Sequence, residues 1–154
     1  MVLCVIGMTR PGVFDHSTIT GNPVLARWKS GKRSDNLNEW VFASLAEVKQ
    51  NFKLTNYPSH LLYTHVGDVA STLPGSDVSS IAILRLDTDL YESTKVELEQ
   101  LYPKVSERGF VIIDDYGHYA GARRATDEYL ETRTPRPFLQ RVNYTVRMIQ
   151  ITGR

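Results

Sequence analysis

The chain has 154 residues, a formal net charge of +1 and the composition of an ordinary globular protein. This length predicts one domain over residues 1–154, and the balanced charge gives no reason to expect nucleic acid or a membrane as partner. The single cysteine, Cys4, excludes an intrachain disulfide, and no apolar stretch approaches the roughly 20 residues of a membrane span. We therefore expect a cytoplasmic location.

Apolar runs and turn residues predict alternating strands and helices along the chain. A strand over 2–6 is followed by a long irregular segment with a single helical turn at 25–28. A helix then begins at Ser44, and further helical pieces are predicted over 69–73, 91–105 and 119–132. The predicted later strands are 61–66, 81–86, 110–113, 138–142 and 145–151.

Two of the predicted helices carry local signals. Ser44 and Glu47 have the S-x-x-E spacing of a capping box, which satisfies free backbone N–H groups at a helix start. In the helix over 91–105, Leu98 and Leu101 share one apolar face, and Glu97 is predicted to point away from it. These patterns predict amphipathic helices that pack on a sheet.

The order of elements predicts an α/β fold with a three-layer sheet. The continuous apolar runs at 81–86 and 110–113 indicate strands that are parallel and covered on both faces. The short Asn143-Tyr144 connection makes the last two strands antiparallel neighbours. We thus expect a mostly parallel sheet that ends in an antiparallel strand pair.

Four carboxylates follow the two central strands. Asp87 and Asp89 come after the strand at 81–86, and Asp114 and Asp115 directly follow the strand at 110–113. Ligands bind at the carboxyl ends of strands in such sheets, and crowded carboxylates repel one another unless a cation holds them. Asp87, Asp114 and Asp115 therefore form a candidate site for Mg²⁺ or Mn²⁺, which prefer carboxylate oxygens.

Two residues beside this site are candidates for proton transfer. A bound cation would lower the pKa of a substrate hydroxyl, and Asp89 or His118 could take its proton. Simpler interpretations remain open at this point. Asp89 could cap the next helix with Glu92, the Asp114-Asp115 pair could be ordinary loop residues, and His118 could be structural. A D-x-D after a strand is also found in phosphatases and in metal-dependent glycosyltransferases.

The second half of the chain resembles the macrocin O-methyltransferase (TylF-like) family. The family methylates sugar hydroxyls in antibiotic pathways and depends on S-adenosylmethionine and a divalent metal. The resemblance extends to earlier segments and covers nearly the whole chain. It is carried by LRLDTDLYEST, LYPKVS, IIDDYGH and GARRATDEY, and further by NEWVFASLAEVKQNF and VGDVASTLP.

The resemblance implies a Rossmann-like methyltransferase sheet and a role for each site residue. It makes Asp87, Asp114 and Asp115 metal ligands and Asp89 the general base, with His118 as the other candidate. It also places Gly67, Asp68 and Val69 where relatives contact the adenine end of the cofactor, although a tight turn would explain the same residues. The implied partner is a small molecule with a free hydroxyl.

The front of the family's fold has no counterpart in this sequence. The missing part includes the first, central strand and the glycine-rich turn that holds the cofactor, so the resemblance implies an N-terminally truncated, partial methyltransferase domain. It also implies a gap beside the strand at 81–86, with unpaired backbone groups that a homo-oligomer or a complementing chain could satisfy. An inactive binding or oligomerisation module is the alternative function.

Overall fold

The computed structural model describes residues 2–6, 10–34, 37–38, 40 and 43–153. The helices are α1 (Val24–Gly31), α2 (Leu45–Leu54), α3 (Val69–Thr72), α4 (Tyr91–Leu101) and α5 (Ala120–Glu131). The strands are β1 (Val2–Ile6), β2 (Lys32–Ser34), β3 (Leu37–Asn38), β4 (Leu62–Val66), β5 (Ile81–Leu86), β6 (Val105–Ile113), β7 (Gln140–Arg141) and β8 (Arg147–Gln150). Short 3₁₀ turns cover 59–61, 73–75 and 102–104.

The main sheet has four strands in the order β5-β6-β8-β7. β5 and β6 are parallel, whereas β8 is antiparallel to both β6 and β7. β1 and β4 form a separate parallel pair, and β2 and β3 a small antiparallel one. The α/β class and the closing antiparallel pair are therefore confirmed.

In the described part of the chain, β5 has an unpaired edge where the resemblance implies a gap. Among the described residues, β5 pairs on one side only, with β6, and β1 pairs only with β4. One edge of β5 thus has no strand beside it. The implied gap next to residues 81–86 is confirmed for the described part of the chain.

The core lies on one face of the main sheet. α4 and α5 pack against each other there and are joined by α3. Leu84 and Leu86 of β5 point into this core, whereas Ile83 on the opposite face is 65% exposed. The prediction of cover on both faces is therefore wrong for β5, because Ile83 and Arg85 on its second face are exposed. The buried cluster includes Val69, Leu73, Leu84, Leu86, Leu98, Leu101, Val111, Ile113, Leu130 and Ile149.

Several element boundaries differ from the sequence-based ones. α1 is a helix of eight residues rather than one turn. Val105 was predicted to end a helix, but it begins β6, because the chain passes through a 3₁₀ turn containing Pro103. The capping box at Ser44 is confirmed, since its hydroxyl accepts a hydrogen bond from Glu47 N at 3.2 Å and its own N–H donates to Glu47 Oε2. None of the described helices is long and apolar enough to cross a membrane.

Candidate metal centre

The register of two parallel strands brings the first carboxylates together. Leu86 of β5 is paired with Ile113 of β6, so the residues that follow, Asp87 and Asp114, leave the sheet side by side. The Asp114 N–H donates to the Leu86 carbonyl at 3.0 Å and extends this alignment past the strand end. With Asp115, the two offer carboxylate oxygens that all lie within 4.8 Å of one another.

Arg85 places a positive charge against two of these three carboxylates. Its guanidinium forms an ion pair with Asp87 at 2.8 Å and a second one with Asp114. Burial nevertheless raises the pKa of Asp87, and the negative charges of Asp114 and Asp115 add to that rise while Arg85 opposes it. The cluster therefore holds more negative charge than Arg85 neutralises, which is the condition that favours a divalent cation.

Asp89 lies deeper than its neighbours. Its residue is 9% exposed, and its backbone has a φ of 62°, in the left-handed region that few non-glycine residues adopt. Burial raises its pKa to about 8, helped by a hydrogen bond with Asp115 and by the charges of Asp115, Asp87 and Asp114. Asp89 is therefore a stronger base than an ordinary aspartate, and it faces the other three carboxylates.

The interpretation of Asp89 as a helix cap is wrong. The N-cap residue of α4 is Leu90, which has no side-chain cap, and the first free N–H, that of Tyr91, is bound by Asp15 at 2.8 Å. Asp15 is 2% exposed, and its second oxygen accepts from Gly12 N at 2.7 Å. Sequence reasoning missed Asp15, because it lies 76 residues before Tyr91 and has no local pattern to mark it.

Glu97 is a second residue that the sequence analysis placed wrongly. It was predicted to point away from the apolar face of α4, yet it is 4% exposed. Its carboxyl group accepts a hydrogen bond from Thr88 Oγ1 at 2.8 Å, so it lies directly beneath the acidic turn. Burial raises its pKa to about 8; the Thr88 hydrogen bond lowers it, and the charge of Asp87 raises it.

The segment over 10–23 covers the start of α5 next to this site. Thr18 binds the carbonyls of Gly117 and His118 through its hydroxyl, and its N–H donates to the His118 carbonyl at 2.9 Å. The His118 ring packs edge-on against Tyr119, with 4.6 Å between the ring centroids. Burial raises the pKa of Tyr119, with a further rise from the charges of Asp89 and Asp115. These contacts fix the backbone at His118 and Tyr119, and of the two side chains it is Tyr119 that senses the charges of Asp89 and Asp115.

The three residues predicted to contact a cofactor form the turn between β4 and α3. Gly67 has a φ of 138°, and Asp68 is the N-cap of α3, where its Oδ1 accepts from Ala70 N at 2.8 Å. Val69 is fully buried in the core. The tight-turn interpretation therefore describes their structural role, and their contact with a cofactor stays a prediction.

Solved structures confirm the fold. The structure entitled "Structure of the O-methyltransferase NovP" matches 99% of this chain with a TM-score of 0.79 at 28% identity, and the match covers 60% of that protein. The calicheamicin methyltransferase CalS11 matches 96% of this chain with a TM-score of 0.62 at 16% identity, which shows a likeness of fold alone.

Curated relatives match the chain at higher identity. The demethyldecarbamoylnovobiocin O-methyltransferase of Streptomyces niveus is 40% identical over 92 residues, 60% of this chain and 35% of that protein. The mycinamicin III 3''-O-methyltransferase of Micromonospora griseorubida is 37% identical over 86 residues, 56% of this chain and 34% of that protein. The matched region spans about a third of the length of these relatives.

The family model for macrocin O-methyltransferases (TylF) matches residues 3–149, almost the whole chain. This match favours the methyltransferase interpretation of the acidic edge over the phosphatase and glycosyltransferase interpretations. The chain belongs to the macrocin O-methyltransferase (TylF) family.

Proposed function

We propose that this chain takes part in divalent-cation-assisted methyl transfer from S-adenosylmethionine to a hydroxyl group of a small molecule, most specifically a sugar hydroxyl of a natural product. One observation carries the proposal. Three carboxylates with ligand oxygens within 4.8 Å of one another lie at the carboxyl edge of the sheet in a chain of this family. That arrangement suits Mg²⁺ or Mn²⁺ bound together with a substrate oxygen.

The residues present fit such a cation. Asp87, Asp114 and Asp115 supply only oxygen ligands, and three protein ligands leave coordination positions for water and a substrate hydroxyl. Arg85 already places a positive charge against two of them, which indicates that this edge favours a cation. Mg²⁺ or Mn²⁺ would add positive charge where the pKa of Asp87 and that of Asp89 are both raised.

The described residues fit only part of an S-adenosylmethionine site. Asp68 is exposed at the end of β4, and one of its oxygens is used in capping α3. Its other oxygen could accept a hydrogen bond from the amino group of adenine. Val69 supports this turn from the core rather than touching a ligand.

The chain's own residues would position the acceptor hydroxyl and supply a base for its proton. S-adenosylmethionine would bring an activated methyl group, and the cation would acidify the acceptor hydroxyl. Asp87, Asp114 and Asp115 would hold the cation, and through it the hydroxyl, at the sheet edge. Asp89 would accept its proton in the carboxylate form, which the positive charge of a bound cation would favour over the protonated form. His118 is the second candidate for this step.

A pocket that could take the acceptor lies in the 10–25 region, which Asp15 joins to the start of α4. A cavity of about 590 Å³ is lined by residues of the 10–25 region, including Pro11, Val13, His16 and Leu25. This volume suits a ligand of drug size, and Asp15 links the cavity wall to the start of α4. A curated relative from Streptomyces olivaceus is named as the 4'-O-methyltransferase of a rhamnosyl-tetracenomycin, so the acceptor named for that relative is a glycosylated molecule.

Calorimetry on the purified chain tests the proposal. S-adenosylmethionine is titrated with and without Mg²⁺, and methyl transfer to demethyldecarbamoylnovobiocin is then followed by mass spectrometry. We expect saturable binding, and Mg²⁺-dependent transfer that Asp114→Asn abolishes while the exposed control Asp77→Asn retains it. Absence of S-adenosylmethionine binding in both conditions would contradict the proposal and would favour an inactive binding module.

A further inference from the structure

A buried glutamate next to a metal site needs a physical reason. Glu97 lies on α4 with 4% of its surface exposed. Burying a carboxyl group costs free energy that an apolar residue at the same place would not. The hydrogen bond from Thr88 Oγ1 at 2.8 Å offsets part of this cost. The question is therefore what the contact between Thr88 and Glu97 contributes to the site.

Thr88 stands between two of the four site carboxylates. It separates Asp87, which pairs with Arg85, from Asp89, which faces Asp115. The turn that carries all three is tightly bent, because Leu90 N donates to the Thr88 carbonyl at 2.6 Å. Asp89 also has a left-handed φ of 62°, which costs a non-glycine residue about 1 kcal/mol or more. Such a conformation persists only when neighbouring contacts hold it.

We propose that Thr88 and Glu97 are a positioning pair that anchors the 87–90 turn to α4 and so aims Asp87 and Asp89 at Asp114 and Asp115. The Thr88 side chain points down to α4, which leaves the side chains on either side of it directed at the cation site. This inference rests on the proposed function of that site. Groups that orient metal ligands typically change metal affinity about 10- to 100-fold when removed.

The protonation state of Glu97 decides which substitution is conservative. Burial raises its pKa to about 8, so the carboxyl group is neutral at pH 7 and presents a carbonyl oxygen to the Thr88 hydroxyl. Glutamine has the same shape, no charge and the same acceptor. Glu97→Gln should therefore keep the anchor, whereas Glu97→Leu should remove it and retain an apolar side chain in the core.

Mn²⁺ titration followed by electron paramagnetic resonance tests the pair without requiring activity. Thr88→Val replaces the hydroxyl with a methyl group of similar size, and Thr88→Ser retains the hydroxyl. We expect Thr88→Val and Glu97→Leu each to weaken Mn²⁺ binding about 10-fold or more. Thr88→Ser and Glu97→Gln should bind within about threefold of the unmodified chain. A merely structural role would not follow this division between variants with and without the hydrogen bond.

The outcomes separate this inference from the proposed function. If the unmodified chain binds no Mn²⁺, both fail. If it binds Mn²⁺ and Thr88→Val binds equally well, the positioning role is overturned while the metal site stands. Equal losses in Thr88→Val and Thr88→Ser would also overturn it, because the hydroxyl would then not be responsible. Far-UV circular dichroism checks that each variant is folded. If Thr88→Val does not fold, the Mn²⁺ affinities of Glu97→Leu and Glu97→Gln decide whether the hydrogen bond positions the ligands.

Discussion

Gly121 tests whether Asp15 organises the start of α4. A Cβ added at Gly121 would overlap Asp15 Oδ1 and would lie 2.8 Å from Tyr91 N. Gly121→Ala must therefore displace the buried Asp15 carboxylate. The same carboxylate binds the N–H groups of Tyr91 and Gly12, so its displacement leaves two donors without their acceptor.

Two opposing effects set the size of the change. Alanine in place of glycine within a helix stabilises it by at most about 1 kcal/mol. The buried Tyr91 N–H costs about 1–3 kcal/mol when it loses its partner, whereas the exposed Gly12 N–H can bind water instead. The loss outweighs the gain, and we expect Gly121→Ala to lower the free energy of unfolding by about 1–2 kcal/mol.

Urea unfolding followed by tryptophan fluorescence measures this free energy. Gly75→Ala is the matched control, because a Cβ there meets nothing within 4 Å. It should be neutral or stabilising by up to about 1 kcal/mol. In an Asp15→Ala background the overlap with the carboxylate is gone, so Gly121→Ala should cost much less, with a coupling of about 1–3 kcal/mol. Additive effects, or a Gly121→Ala chain as stable as the original, would refute the role of Asp15.

Two further predictions concern charge. Arg85→Gln should tighten Mn²⁺ binding severalfold, because it removes the guanidinium that pairs with Asp87 and Asp114. The control Lys53→Gln on α2 should leave Mn²⁺ binding unchanged. Weaker Mn²⁺ binding by Arg85→Gln in a titration followed by electron paramagnetic resonance would contradict this prediction. The folded chain holds the Glu97 proton more tightly than the unfolded chain, since its pKa rises from 4.5 to about 8, so the free energy of unfolding should fall between pH 5 and pH 8. Glu97→Gln should reduce that fall by a few kcal/mol, on the order of 1.4 kcal/mol per pKa unit, and an unchanged pH profile in chemical denaturation would exclude the assignment.

Short-range patterns were predictable because they depend on neighbours in sequence. The capping box at Ser44 needs only a partner three residues away. The acidic edge was predictable as well, since two apolar strands that end in carboxylates become neighbours in a parallel sheet. The register of Leu86 with Ile113 then fixes Asp87 beside Asp114.

The remaining features depend on contacts that no local pattern encodes. Asp15 reaches Tyr91 from a distant loop, and its burial follows from the packing of that loop on α4 and α5. Glu97 is predicted to point away from the core because the apolar face of this helix is drawn from Leu98, Leu101 and Val105. The buried surface of α4 is wider than that face and also includes Thr94 and Glu97. Likewise, the second face of β5 is exposed because of how the helices pack on the sheet, and the apolar run of the strand does not encode that packing.

The central claim is that the carboxylates at the sheet edge bind a divalent cation, and the Mn²⁺ affinity of the chain tests this claim most directly. We would titrate Mn²⁺ into the unmodified chain, Asp114→Asn and the exposed control Asp77→Asn at pH 7.5, and follow the free ion by electron paramagnetic resonance. The account predicts one saturable site in the unmodified chain and in the control, and its loss in Asp114→Asn. Equal binding by all three chains, or no binding by any of them, would contradict it.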